Sequence, residues 1–211
     1  MDLYFSPLAC SMATRIALYE AGAEAHFVEV DTKAKRTRDG ADFWSVNPLG
    51  LVPVIRTDNG EPLTENAAIL QYVADRFPDA KLASPAGMDR SRLQQWLCFI
   101  GTELHKAMFV PRLDAKAPDA VKSYALEKGE RAMAYLNDYL AGRDYLLERF
   151  SVGDAYLFTV LNWSTAATVD LARWPAVKDY YSRMRQRPSI ARALSEERAL
   201  YVEQQARRNA A

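Results

Sequence analysis

Cys10 is the first residue in this chain whose type and position could do chemistry. It lies between Pro7 and a predicted helix that starts near Ser11. A thiol at a helix start feels the positive end of the dipole, which stabilises the thiolate and lowers the pKa. The residue three positions later is Ala13, so no C-x-x-C pair forms and a redox cycle at Cys10 needs an external thiol. The competing reading is a small, buried, inert cysteine.

The second group of candidates runs from Asn47 to Asn66. Leu51-Val52-Pro53-Val54-Ile55 is an apolar run with a proline inside it. Proline lacks an N–H and does not belong inside a central strand, so Pro53 breaks or starts one. If it starts one, the Val52 backbone is unpaired at a sheet edge and can dock a peptide-like ligand. The Val52–Pro53 bond is also a candidate cis peptide. Glu65 then opens an apolar helix, where free N–H groups and the dipole suit a carboxylate ligand. Val52 and Glu65 could thus serve one small peptide, with Glu65 facing an ammonium group.

The elements that must position these groups are legible. Asp2–Phe5 reads as a strand ending at Ser6-Pro7, and Ser11 to Gly22 as a helix stopped by glycine. His26 to Val30 alternates like a strand. Lys33 to Arg38 reads as a basic loop, and Asp42 to Val46 as one helical turn. Asp58-Asn59-Gly60 is a tight-turn signal ahead of a short strand through Pro62-Leu63. The resulting order is β-α-β-(α)-β-β-α, a small α/β unit over residues 1–80. A linker over 81–87 precedes an all-helical domain over 88–211. Leu93, Leu97, Ile100 and Leu104 form one helical stripe there. Ala125, Ala132, Leu136 and Leu140 form another before Gly142. Ser151-Val152-Gly153-Asp154 nearly matches a capping box ahead of a helix over Ala155–Leu171. That helix is apolar on most sides and is expected at the centre of a bundle. Another helix follows Trp174-Pro175. A short last helix starts at Pro188, and the polar stretch from Glu196 is expected to fray.

The 211 residues can bury a substantial core, and 49% of them are hydrophobic. Lys plus Arg equals Asp plus Glu at 27 each, so net charge is zero and gives no case for nucleic acid or an anionic membrane. No apolar run approaches the ~20 residues needed to cross a bilayer. The N-terminus lacks a signal-peptide pattern, and two cysteines make no disulfide framework, so the cytoplasm is the expected location. No metal is expected.

Taken together, Leu3-Tyr4-Phe5-Ser6-Pro7 with Cys10-Ser11, Lys35, Asp42-Phe43, Asn47-Pro48-Leu49-Gly50, Val52-Pro53-Val54 and Leu63-Thr64-Glu65 resemble a thioredoxin-like glutathione-binding domain. Trp96-Leu97, Glu103 through Lys106 and Val152 through Phe158 extend the likeness into the helical half. The chain resembles a glutathione S-transferase, and within that family the bacterial beta class. The resemblance implies an α/β thioredoxin-like N-terminal domain plus an all-α C-terminal helical bundle. It implies a glutathione transferase that joins reduced glutathione to small hydrophobic electrophiles, and thiol–disulfide exchange through Cys10. It also implies a homodimer.

On the same resemblance, Cys10 lies beside the glutathione sulfur with the Ser11 hydroxyl next to it. Val52 pairs with the cysteinyl part, with Pro53 cis. Glu65 and Asn66 hold the γ-glutamyl end, and Lys35 reaches the glycyl carboxylate. His105 and Lys106 line the site from the helical domain, and His105 shares a face with Thr102 and Cys98. Phe109 and Val110 are candidates for the electrophile. Leu51, Asn66 and Cys98 depart from residues common at these positions: Leu51 removes a polar contact, and Cys98 replaces an Asn that contacts glutathione across the dimer. Cys98 otherwise reads as a buried helix thiol. A non-catalytic relative that binds ligands or regulates partners is the alternative function. A chloride-channel-like membrane-inserting relative is disfavoured by the lack of a long apolar segment.

Overall fold

The computed structural model describes residues 1–210, which form two units. The first comprises residues 1–83 and the helix from Pro188 on; the second comprises residues 84–187.

The first unit is built on a five-stranded mixed sheet with strand order β3-β2-β1-β4-β5. Strand β1 (Asp2–Phe5) pairs in parallel with β2 (His26–Asp31), from Asp2↔His26 to Phe5↔Glu29. On its other side it pairs antiparallel with β4 (Val54–Arg56), Tyr4 opposite Val54. Strand β5 (Pro62–Thr64) adds to β4 in a hairpin, Ile55 opposite Leu63. The expected basic loop contains a two-residue strand instead, β3 (Arg36–Thr37), paired with β2. Side chains along β1 alternate between faces. Leu3 and Phe5 are buried with Met12, Ile16, Ile69, Leu70 and Val73 of the two flanking helices. Tyr4 joins a second cluster with Val30, Phe43 and Val54, against which Val52 packs. Those helices are α1 (Met12–Glu20) and α2 (Asn66–Arg76). Gly22 takes φ +60°, the left-handed stop expected after α1. Phe43–Ser45 forms the expected single turn, started by the Asp42 carboxylate, which accepts from the Trp44 N–H.

The end of the chain differs from expectation. Instead of a short helix and a fraying tail, α8 runs from Pro188 to Ala210 and belongs to the α/β unit. Several of its polar residues are partnered. Arg208 pairs with Asp31 at 2.7 Å, Arg207 with Glu29, and Gln204 donates to Glu29 at 3.0 Å. Arg208 holds the Asp31 carboxyl well below the usual carboxylate range.

The second unit contains α3 (Gly87–Phe99), α4 (Val110–Leu113), α5 (Asp119–Leu140), α6 (Val152–Leu161) and α7 (Pro175–Met184). Between α3 and α4 the chain is π-helical over Ile100–Phe109. Leu93, Leu97, Ile100 and Leu104 are all buried, as their spacing predicts. In α5 the buried stripe is Ala125, Met133, Leu136 and Leu140, with Met133 in the place expected for Ala132. Every residue of α6 is buried, which fits its expected central place, but it stops at Leu161, not Leu171. A run of turns follows, in which Ser164 N–H bonds back to Leu161 and Val169 N–H to Ser164. At its start Asp154 accepts from the Ser151 N–H at 2.9 Å and the Ser151 hydroxyl at 2.8 Å, so the expected capping pair is present. No helix of the described residues is long and apolar enough to cross a membrane.

Candidate active site

The loop from Ser6 to Ser11 joins β1 to α1 and carries Cys10. The thiol is partly exposed and its Sγ donates to the Val52 carbonyl at 3.2 Å. First-turn amides of α1 do not all face outward. Met12 N–H bonds to the Ala9 carbonyl and Ala13 N–H to the Cys10 carbonyl. Ser11 differs from its expected role as an active-site hydroxyl. It has no exposed surface, and its hydroxyl exchanges hydrogen bonds with Ser6, accepting from its N–H at 3.2 Å and donating to its carbonyl at 3.3 Å. Ser11 N–H, by contrast, has no hydrogen-bond partner among the described residues. What Ser11 offers a ligand is therefore backbone, beside the thiol and at a positive helix end.

Val52–Pro53 is cis. The expected edge strand is not the reason Val52 is open, since β4 is paired on both sides. Val52 lies two residues before β4, past the register of β1 and β5, and its N–H has no partner among the described residues. An amide left at a strand end offers the same docking as an edge. Leu51 is exposed, and its carbonyl accepts from the Asn47 side chain at 2.7 Å. Asn47 also accepts from the Leu49 N–H, so this one buried amide shapes the 47–51 turn. Gly50 is required there. It has φ +60°, and a Cβ would lie 2.9 Å from the Trp44 ring. The Lys35 ammonium donates to the Gly50 carbonyl at 2.8 Å and sits 5.5 Å from the Trp44 ring centre. Two of its three protons remain for a ligand.

Glu65 caps the start of α2 in an unusual backbone state, φ +67° and ψ 119°. A non-glycine residue there stores ~1–3 kcal/mol of strain, which is found at functional positions. Its side chain is exposed and does not cap the helix, so the first-turn N–H groups of α2 stay available to an anion. Asn66 is different. It is buried, donates to the Cys10 carbonyl at 3.1 Å and accepts from the Thr14 hydroxyl at 3.3 Å. Its amide ties the thiol loop to both helices.

The first unit therefore brings together Cys10, the Ser11 amide, Val52 and Asn66, with the Lys35 ammonium bonded to the 47–51 turn. The helical unit's candidates do not behave as their α-helical spacing predicts. His105 is buried while Thr102 and Cys98 are exposed, so the three share no face. The π-helical turn rotates His105 away from an i, i+3, i+7 stripe. His105 Nδ1 lies 2.7 Å from the Tyr156 hydroxyl, and Trp163 packs edge-on against its ring. Burial, with a smaller push from Lys106, lowers its pKa to about 4. It is neutral at pH 7 and a poor base there. Phe109 is fully buried against Trp163; Lys106 and Val110 are exposed. Cys98 is an exposed thiol, not a buried one. Tyr156 and Asn47 both lie in segments that carry the family resemblance, and the structure adds the supporting contacts that the resemblance does not assign to them. Asn47-Pro48-Leu49-Gly50 carried a turn signal for the second; nothing local signals the first.

Comparison with known proteins gives this geometry a family. The Glutathione S-transferase N-terminal domain profile matches residues 2–75, and the C-terminal domain profile matches residues 103–183. Glutathione S-transferase GstA of Escherichia coli O157:H7 is 39% identical over 199 residues, 93% of this chain and 98% of that protein. The chain belongs to the glutathione S-transferase family. Solved structures of this family superimpose closely. The bacterial beta class transferase of Sphingomonas chungbukensis has a TM-score of 0.89 at 41% identity, covering 93% of this chain and 98% of that one. A sphingomonad glutathione S-transferase complexed with glutathione has a TM-score of 0.89 at 44% identity, again over 93% and 98%. The transferase fold is thus a thioredoxin-like mixed sheet with a helical partner unit, as the resemblance implies.

Proposed function

We propose that this glutathione transferase binds reduced glutathione along the Cys10–Val52–Glu65 face and transfers it to small hydrophobic electrophiles. One observation carries the reading: Val52, ahead of a cis proline, leaves its N–H open while its carbonyl accepts from the Cys10 thiol. An extended cysteinyl residue can pair with that N–H, which sets the ligand's sulfur beside Cys10. The γ-glutamyl α-carboxylate matches the uncapped start of α2, the γ-glutamyl ammonium the Glu65 carboxylate, and the glycyl carboxylate the Lys35 ammonium. The Ser11 N–H and the α1 dipole favour the glutathione thiolate. That thiolate forms a carbon–sulfur bond with the electrophile while a leaving group or electron pair departs. Within the helical unit, Lys106 and Val110 are exposed, and the buried His105 ring is neutral.

The partly exposed Cys10 thiol supports a second reaction. Its thiolate attacks a glutathione mixed disulfide, taking the glutathionyl group and releasing the other thiol. A second glutathione then attacks the Cys10 adduct, giving oxidised glutathione and free Cys10. A homodimer in the cytoplasm completes the reading, as the family resemblance implies.

Calorimetric titration of the reduced protein with glutathione tests the site. Saturable binding that Glu65→Ala weakens at least tenfold is expected. No binding by the parent protein would overturn the proposal.

A further inference from the structure

The loop that carries Cys10 is supported from the far end of the chain. Leu8, two residues before the thiol, has φ +60°, a left-handed state that disfavours a leucine by ~1–2 kcal/mol. Its N–H donates to Glu197 Oε2 at 2.7 Å, across 189 positions of sequence. Glu197 lies on α8 and has no exposed surface. Its other oxygen, Oε1, sits 2.9 Å from Arg15 Nε. The Arg15 guanidinium is clasped between aromatic rings, 4.2 Å from the Phe5 centre and 4.0 Å from the Phe27 centre. Burying a carboxylate is costly unless it is paired and bonded. Both partners of this one are on the strand–helix corner that presents the thiol.

We propose that Glu197 is a positioning residue for Cys10: by fixing the Leu8 amide it keeps the loop where the thiol donates to the Val52 carbonyl. This goes beyond the transferase reading and does not require glutathione to bind. A thiol that donates to a carbonyl is held in its neutral form, because the thiolate would face that oxygen without a proton between them. Loosening the loop removes this restraint, so Cys10 ionises more readily and reacts faster. The groups around Glu197 set its charge, not whether it can accept: a protonated carboxyl still offers an oxygen to the Leu8 N–H. Burial raises the Glu197 carboxyl to about 7, Arg15 and the Leu8 N–H oppose the rise, and neighbouring Glu196 adds to it. Glu196 is itself bound by the Tyr19 hydroxyl, Arg15 and Arg192.

The test uses the full chain with Cys98→Ala, which leaves Cys10 as its single thiol. Alkylation by iodoacetamide is followed from pH 5 to 10, with Tm recorded for each protein. Glu197→Ala should alkylate at least threefold faster at pH 7, with the midpoint of its rate–pH curve moved down. Glu197→Gln, which keeps an acceptor for the Leu8 N–H, should stay within twofold of the parent. Glu197→Met fills the same space without an acceptor, and should follow Glu197→Ala even if the alanine variant fails to fold. A carboxylate that only stabilises the unit would lower Tm and leave the curves superimposed. Superimposed curves for Glu197→Met and the parent overturn the proposal.

Discussion

Asp154→Ala should weaken the helical unit more than any other single polar truncation in it. Asp154 has no exposed surface. Oδ1 accepts from the Leu146 N–H at 2.9 Å and the Tyr180 hydroxyl at 2.9 Å. Oδ2 accepts from the Ser151 N–H and hydroxyl at 2.9 and 2.8 Å. Alanine leaves two amides and two hydroxyls without this acceptor in a dry core. An orphaned buried donor costs ~1–3 kcal/mol, and the hydroxyls can rotate toward other acceptors, so the two amides set the scale. The expected loss is ~3–5 kcal/mol, in line with breaking a buried charged network. At ~2–4 °C per kcal/mol for a chain of this size, the melting transition should fall by ~6–20 °C. Urea titration followed by circular dichroism at 222 nm measures the loss directly. Asp154→Asn keeps one carbonyl oxygen for the Leu146 amide and should lose about half as much. A loss below ~1 kcal/mol for Asp154→Ala, or a larger loss for Asp154→Asn, would refute the reasoning.

Cys10→Ala should abolish glutathione-dependent disulfide reduction yet lower kcat/KM for conjugation by less than tenfold, because the thiolate that conjugates belongs to glutathione. Loss of conjugation with glutathione still bound in calorimetry would contradict the role given to the Ser11 amide and the α1 dipole. His105 titrates near 4 in the folded protein against an ordinary 6.5, so the unfolded chain takes the proton first. Its contribution, on the order of 3 kcal/mol, is whole above pH 6.5 and is lost as pH falls toward 4. His105→Gln should remove that slope from urea midpoints measured between pH 7 and 4; an unchanged slope would rule it out. A Cβ on Gly129 would meet the Met108 side chain at 2.5 Å, so Gly129→Ala should cost ~1–3 kcal/mol by overpacking, and Met108→Ala should recover part of it in the double variant.

The residues legible in the sequence are those whose role depends on near neighbours. Pro53 marks the strand start, Gly22 the helix stop and Ser151-x-x-Asp154 the helix start, each through backbone chemistry within four residues. The Leu93–Leu104 stripe reports burial of one face, which periodicity measures directly. Where a role depends on a partner outside that window, the same signals mislead. Ser11 looks like an active-site hydroxyl until Ser6 turns back onto it. His105 looks like a face-mate of Cys98 until a π-helical turn, which no residue type announces, brings it to Tyr156, 51 positions on. The α8 sequence is polar enough to read as a fraying tail, because Glu197, Gln204 and Arg208 find Arg15, Glu29 and Asp31 only once the sheet exists. Hydrophobic pattern records how much of a side chain leaves water, not which charge it meets there. The backbone that would receive glutathione is therefore a local property of the first 70 residues, whereas the geometry of its thiol depends on a carboxylate placed only when the last helix docks.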